Sequence, residues 1–359
     1  MNLNKLLQQG IGSIMKTAGR FYLNNKTGRS FLARMAPQIS KSARLREQNE
    51  AAGTHIPAFL IASVASQCNL HCAGCYARAG GCCSGATAKP DLTCGEWDRI
   101  FSEASSLGVS FVLLAGGEPL TRPDVITTAA RHPELIFPIF TNGTMMDEAT
   151  LRLFDQNRNL IPVVSIEGAQ TETDTRRGAG THAKIETAMA HMARRDMLFG
   201  ASITVTRENL HEVLQPEFLA NLRNKGCGIV FYVEYVPAQA GTEALALTEA
   251  ELETLNRACD TLKSRFKDMV VLSFPGDEAA MGGCLASGRG FFHISPTGDA
   301  EPCPFSPFAK HNLKDASMKE VLQSRYYAKL REMAAQAGPR TGGCVLFQRQ
   351  AEVQALLAQ

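Results

Sequence analysis

From residue 58 onward the chain alternates short apolar, β-rich runs with segments of helical period, and this alternation restricts the fold more than any other feature. The runs are Ala58–Val64, Ser110–Leu114, Ile136–Phe140, Ile161–Ser165, Gly200–Val205 and Gly228–Tyr235. Helical stretches fall between them at Cys94–Leu107, Asp124–Arg131, Asp147–Gln156, His182–Arg195 and Leu214–Lys225. Thr93 and Asp147 stand where N-caps belong, since their side-chain oxygens can take an orphan backbone N–H. Repeated strand–helix–strand units require parallel strands with covering helices. The expected fold is α/β, a partial (β/α)6 TIM-type barrel. Six units are fewer than the eight that close a barrel, so the arc stays open, with its chemistry at the strand C-terminal ends. After Pro237 the rhythm gives way to a helix over Thr248–Lys267 and then a Gly-rich, Cys-containing region. Next come a hairpin within Gly290–Phe305 turning at Thr297 and Gly298, and a last helical stretch at Ser317–Ala335. The organisation expected is a helical extension over 1–57, a core over 58–237 and a smaller C-terminal module over 238–359.

Charge divides the chain unevenly. Nine Lys or Arg and no Asp or Glu lie between Met1 and Arg46, whereas the remaining 313 residues carry 28 basic and 35 acidic side chains, a net −7. The same basic segment spaces Leu3, Leu6, Leu7, Ile11, Ile14, Met15, Ala18, Phe21 and Tyr22 by about three and four, the pattern of an amphipathic helix. Such a helix suits an anionic membrane surface or an acidic partner, or else packs on its own domain with its charges in water. With 45% hydrophobic and 20% charged residues, the chain is too apolar for disorder. No apolar run reaches the 18 to 20 residues of a bilayer span, and no secretory signal is legible, so a cytoplasmic location is expected, peripheral to a membrane if the N-terminal helix binds one.

Eleven cysteines is a high and odd count. In a reducing compartment, clustered cysteines point to metal ligation or catalysis before disulfides. The densest group follows the first strand, where CNLHCAGCY sets Cys68, Cys72 and Cys75 at C-x3-C-x2-C. Soft thiolates at this density suit zinc or an iron–sulfur cluster. Structural zinc wants a closed set of four ligands, and only His71 or a distant cysteine could complete it. A cubane cluster on three thiolates leaves one iron open to an outside ligand, and the spacing favours it.

With Tyr76 as the aromatic residue that follows, this loop after the first strand of a six-unit arc resembles the radical SAM superfamily, over about residues 58–236. AGGEP at Ala115–Pro119, TNG at Thr141–Gly143 and SIEG at Ser165–Gly168 follow the next three strands in the order that family shows. The resemblance implies a [4Fe–4S] cluster on Cys68, Cys72 and Cys75 whose open iron chelates the amino and carboxylate groups of S-adenosylmethionine. It implies that Gly116, Gly117 and Glu118 meet the methionine amino group through their backbone, where glycine admits a ligand that a Cβ would exclude. Tyr76, Thr141 and Asn142 are implied to line the cofactor, Ser165 and Glu167 to bind the ribose hydroxyls, and Arg177 and Thr204 to reach the carboxylate and ribose. The implied chemistry is reductive cleavage of the sulfonium, giving a 5′-deoxyadenosyl radical that takes hydrogen from a substrate, with the protein orienting the reactants and excluding water. An electron donor such as flavodoxin or ferredoxin goes with it. Glu234 and Tyr235, at the end of the sixth strand, are the candidates for substrate contact.

A second set, Cys284, Cys303 and Cys344, carries Gly or Pro neighbours suited to tight turns around a metal. ISPTGDAEPC is similar to the SPASM or twitch extension of radical SAM proteins, which holds auxiliary clusters. The dense closing cysteine run of a full SPASM pattern is missing, so a twitch-like module with one auxiliary iron–sulfur cluster is expected. Cys227 and Cys259 look like core residues, while Cys82, Cys83 and Cys94 receive no role. The activity expected is a radical SAM oxidoreductase acting on a peptide or small molecule. A lipid- or tetrapyrrole-modifying member at the membrane surface is the second reading, and a non-catalytic electron-transfer or zinc-binding protein the third. Nucleic acid is disfavoured, because a net acidic core repels phosphate.

Overall fold

The computed structural model describes residues 3–23, 25–81, 89–335 and 344–358. Cys82 and Cys83 lie outside them. Six parallel strands, β1 (Phe59–Ala65), β2 (Phe111–Gly116), β3 (Phe137–Thr141), β4 (Leu160–Ser165), β5 (Gly200–Val205) and β6 (Ile229–Glu234), follow one another across the sheet in chain order. Each begins and ends within two residues of the run expected for it.

The arc then continues one strand further than the expected six. After the helix Glu249–Arg265, β7 (Val270–Phe274) pairs in parallel with β6. The run VVLSF is short and ends against Pro275, which has no N–H to extend a ladder. At the opposite edge, β8 (His293–Ile294) pairs in parallel with β1 and turns back through Gly298, at φ +93°, into β9 (Asp299–Glu301). β10 (His311–Asn312) pairs antiparallel with β9, so one ten-stranded sheet runs β10-β9-β8-β1-β2-β3-β4-β5-β6-β7 across both sides of residue 237. The last helical stretch is broken in two, Met318–Gln323 and Arg325–Ala335, at an extended Ser324.

The N-terminal segment forms two helices, α1 (Leu3–Tyr22) and α2 (Lys26–Ala51). Asn25 caps α2 by accepting the Gly28 N–H at 2.6 Å, and a Cβ on Gly28 would meet the Tyr22 carbonyl oxygen at 2.5 Å, so the corner needs glycine. Ala18, Tyr22, Phe31 and Met35 pack on Phe111, Ile136, Ile161, Leu198, Ile229 and Val270, residues at or just before the starts of β2 to β7. The helical pair therefore stoppers the N-terminal mouth of the barrel. Burial at about 1.5–3 kcal/mol per large apolar side chain makes it part of the fold. Tyr22 also donates to the Arg158 carbonyl at 3.3 Å and lies 5.3 Å beneath the Arg158 guanidinium. Ile14, Met15 and Phe21 pack against the same floor, and Arg20 pairs with Asp268 at 2.6 Å. Of the two partners open to this amphipathic segment, its described side chains are turned chiefly to its own domain. Among the described residues no helix is long and apolar enough to cross a membrane.

Candidate active site

Alternation along each strand turns every second residue to the inside of the arc. Leu113, Phe140, Phe231, Leu272 and Phe274 give the inner wall an apolar character, and Ser63, Ser165, Ser202 and Thr204 add hydroxyls toward the C-terminal rim. The same alternation puts Glu234 on the face of Tyr232, whose hydroxyl bonds the Val213 carbonyl of an outer helix at 2.9 Å. Glu234 is thus set toward the helices and away from the inner wall, against expectation. Tyr235 reaches the rim.

Directly beyond β1, Cys68, Cys72 and Cys75 stand half-buried on one loop. Its path is fixed by neighbouring strand ends. Gly117 and Glu118 donate their N–H groups to the Ala65 and Gln67 carbonyls, both at 2.8 Å, and Ala73 donates to the Arg176 carbonyl at 2.9 Å. Ser66 hands its N–H and hydroxyl to Asp91 at 3.1 and 3.0 Å. A Cβ on Gly117 would sit 2.1 Å from the Gln67 carbonyl oxygen, so only glycine allows this approach. With its N–H used, Gly117 has a carbonyl oxygen to offer a ligand, which suits an amino group, whereas the Glu118 carbonyl already accepts the Thr121 N–H at 3.0 Å and hydroxyl at 2.7 Å. Gly74, at φ +63°, leaves room for the Tyr235 ring, whose hydroxyl donates to Thr242 at 2.7 Å.

Two buried carboxylates tie the rim together. Glu118 accepts from the Thr141 hydroxyl and the Asn142 N–H at 2.7 Å each, and from the Leu120 N–H at 3.0 Å, joining the ends of β2 and β3. Burial lifts its pKa to about 7 against the pull of those donors. Asn142 in turn donates at 2.8 Å to Asn69, between the first two cysteines. Glu167 takes Arg176 and Arg177, the latter through Nε at 2.7 Å, and the Thr204 N–H at 2.9 Å. Arg177 extends from there to within 4.0 Å of Cys72 Sγ. Burial would lower the Arg177 pKa, but the charges of Glu167 and Cys72 hold it above the ordinary value. Burial raises Cys72, while Arg177 and Arg176 draw it back toward the thiolate that a metal requires. The structure therefore brings together Cys68, Cys72, Cys75, Gly116, Gly117, Glu118, Thr141, Asn142, Glu167, Arg177 and Thr204. Ser165 is half-buried at the same rim.

The sequence reading missed Asn69 and Arg176, one lying between the cysteines and the other beside Arg177. It also missed a buried chain on the inner side of β1. Ser63 Oγ meets His293 Nε2 at 2.8 Å, and His293 Nδ1 meets Glu301 at 2.6 Å. These bonds staple the β8–β9 hairpin to β1. The turn at Gly298 could have revealed the second, since it sets His293 opposite Glu301.

The second trio is closed where the first is open. Cys284, Cys303 and Cys344 are 5%, 2% and 6% exposed within the apolar core. Burial drives Cys284 and Cys303 far up, with neighbouring charge adding to it, and Cys303 and Cys344 share a sulfur hydrogen bond. The backbone at Ala286 and Phe305 offsets part of that rise at Cys284 and Cys303. Phe305 meets the Tyr76 ring edge-on at 5.2 Å, so the residue after Cys75 touches the turn that follows Cys303. Cys227 and Cys259 are buried core residues, with burial raising both to about 12. Cys94 donates to Asp124 at 2.9 Å.

Both trios fit iron–sulfur clusters by their donors. At the rim, charge from Cys68 and Cys75 reaches Cys72, a glycine cradle adjoins them, and Arg176 Nε is buried without an acceptor among the described residues. Among the described residues no three Cys, His, Asp or Glu side chains are set to hold one metal ion.

A model of the Radical SAM superfamily matches residues 63–215. The AdoMet-dependent heme synthase of Methanosarcina barkeri is 27% identical over 307 residues, covering 78% of this chain and 86% of that one. The PqqA peptide cyclase of Granulibacter bethesdensis is 27% identical over 69% of this chain and 67% of its own. The mycofactocin maturase MftC of Mycobacterium tuberculosis is 26% identical over 84% of this chain and 78% of its own. Among solved structures, Streptococcus suis SuiB bound to the precursor peptide SuiA superposes with a TM-score of 0.66 at 17% identity, covering 85% of this chain and 76% of that one. The fold is that of radical SAM enzymes. Residues 63–215 are a radical SAM domain, and the protein is an enzyme of the radical SAM type. Members of that family bind a [4Fe–4S] cluster and S-adenosylmethionine, and the relatives of SPASM type carry auxiliary clusters.

Proposed function

We propose that this enzyme carries out an oxidative modification of a peptide, with residues 58–237 as the catalytic core and 238–359 as a module for one auxiliary cluster. Cys68, Cys72 and Cys75 would hold the first cluster and Cys284, Cys303 and Cys344 the second. When bound, the first cluster and S-adenosylmethionine supply a primary carbon radical able to take hydrogen from an unactivated C–H bond. The chain's own residues do the rest. Gly116 and Gly117 offer carbonyl oxygens to an amino group, and Glu118 fixes the ends of β2 and β3 around them. Arg177, held by Glu167, sets positive charge beside the Cys72 sulfur, and Ser165 and Thr204 present hydroxyls at the ribose side of the rim. The apolar inner wall keeps water from a reactive centre. Tyr235 at the rim and the Tyr76–Phe305 contact are where substrate and second module meet the core.

The observation that carries this reading is the pairing of one open and one buried cysteine trio in one sheet. Peptide is favoured because a PqqA peptide cyclase and SuiB bound to its precursor peptide are among the proteins this chain resembles. A tetrapyrrole substrate is the second reading, favoured by the heme synthase that matches over 86% of its own length. Action at a lipid surface loses support, because Ile14, Met15, Ala18, Phe21 and Tyr22 of α1 pack on the barrel floor. The test is anaerobic reconstitution with iron and sulfide, reduction, and chromatography of 5′-deoxyadenosine formed from S-adenosylmethionine. Production of the nucleoside is expected. A reconstituted, iron-loaded protein that forms none overturns the reading.

A further inference from the structure

The two turns that present Cys284 and Cys303 repeat one spacing, with a serine three residues after each cysteine: Cys284-Leu-Ala-Ser287 and Cys303-Pro-Phe-Ser306. Both serines are fully buried, at 0% exposure, and neither hydroxyl has a hydrogen-bond partner among the described residues. A buried hydroxyl left without a partner costs about 1–3 kcal/mol, so two of them three residues beyond two metal-ligating cysteines call for a reason. Their backbones are placed with care. Ser287 holds the left-handed φ of +59°, a strained conformation for a residue with a Cβ, and its N–H bonds the Pro302 carbonyl at 3.0 Å, next to Cys303. The Ser306 N–H bonds the Cys303 carbonyl at 2.9 Å and closes the turn around that cysteine. What the pocket still needs is acceptors for two O–H groups, and sulfide or thiolate sulfurs are acceptors.

We infer that Ser287 and Ser306 donate O–H···S hydrogen bonds to the cluster held by Cys284, Cys303 and Cys344 and thereby raise its reduction potential. This rests on the reading of that trio as an auxiliary cluster site. Hydrogen bonds to cluster sulfurs stabilise the more negative, reduced form, so they make the cluster a better electron acceptor. An acceptor poised this way favours an oxidative outcome, in which a substrate radical gives up one further electron. Both serines are positioning residues, since they act through the cluster.

The test needs no substrate. In the full chain with Cys68, Cys72 and Cys75 all changed to Ala, only the auxiliary site can hold iron. Its iron and sulfide are counted after anaerobic reconstitution, and its midpoint potential is read by redox titration followed by electron paramagnetic resonance. Ser306→Ala and Ser287→Ala should each keep the iron content and lower the potential, the double variant should lower it further, and Ser306→Thr, which keeps the hydroxyl, should restore it. Unchanged potentials in both alanine variants overturn the proposal. Loss of iron from Ser306→Ala with retention in Ser306→Thr also overturns it, because the oxygen would then be a ligand and not a donor. If the triple-alanine chain binds no iron while the unaltered chain binds one cluster, the auxiliary-site reading itself fails, which is a separate result.

Discussion

The two cysteine trios solve opposite problems with the same side chain. Cys68, Cys72 and Cys75 sit half-buried on a loop held almost wholly by polar bonds, with charged groups on every side. Cys284, Cys303 and Cys344 are sunk in an apolar core, with the buried Ser287 and Ser306 three residues beyond two of them. An open site can exchange a small molecule at a metal corner. A closed one can pass electrons but excludes exchange. Exposure, more than ligand type, separates the two roles.

The largest effect should come from cutting each trio in turn. Cys68→Ala should bring 5′-deoxyadenosine formation to background, whereas Cys303→Ala should lose the auxiliary iron and still cleave S-adenosylmethionine, as followed by iron analysis and chromatography. Equal loss of cleavage in both would erase the distinction. Next comes Gly117→Ala, whose Cβ would strike the Gln67 carbonyl at 2.1 Å and displace the loop before Cys68. Iron at the first site should fall sharply while the chain with only the second site loads normally. Wild-type loading of both would show that the cradle yields.

The strand ends were legible because β-branched and apolar runs announce themselves locally, and so were the cysteine loop and its glycines. What was not legible depends on partners distant in sequence. Glu118 and Glu167 read as ligand contacts at their positions, yet their carboxylates are engaged by Thr141 and Asn142 and by the two arginines. The floor beneath α1 and α2 is assembled from residues as far apart as Phe111 and Val270, so periodicity showed the apolar face but not what covers it. β7 was hidden because it lies beyond Pro237, where the alternation of apolar runs and helices gives way.

Smaller effects sharpen the contrast through stability. Glu167→Ala leaves Arg176 and Arg177 buried without their carboxylate and should cost about 3–5 kcal/mol in urea unfolding. His293→Ala leaves the buried Glu301 without its donor and should cost about 2–3 kcal/mol. Hydrogen exchange should show the loss first at residues 293–301, and uniform loosening would deny that the hairpin is separately stapled. The smallest belongs to the exposed rim of the open site. Arg122 holds Asp124 down at about 2 from its ordinary 3.8. A depressed carboxyl contributes stability above its unfolded pKa and loses it as pH falls through its folded one. Asp124→Asn should therefore cost less than ~1 kcal/mol at pH 7, the side chain being partly solvated, with most of that cost gone at pH 2 and the rest lost below it.

The helical stopper under the barrel has a consequence for traffic. With that end corked among the described residues, a nucleoside formed on the proposed reading would leave by the opposite doorway, beside the cysteine loop. A bulky guest lodged in the doorway would hold the reagents inside, so turnover and protection from stray quenching become two aspects of one queue.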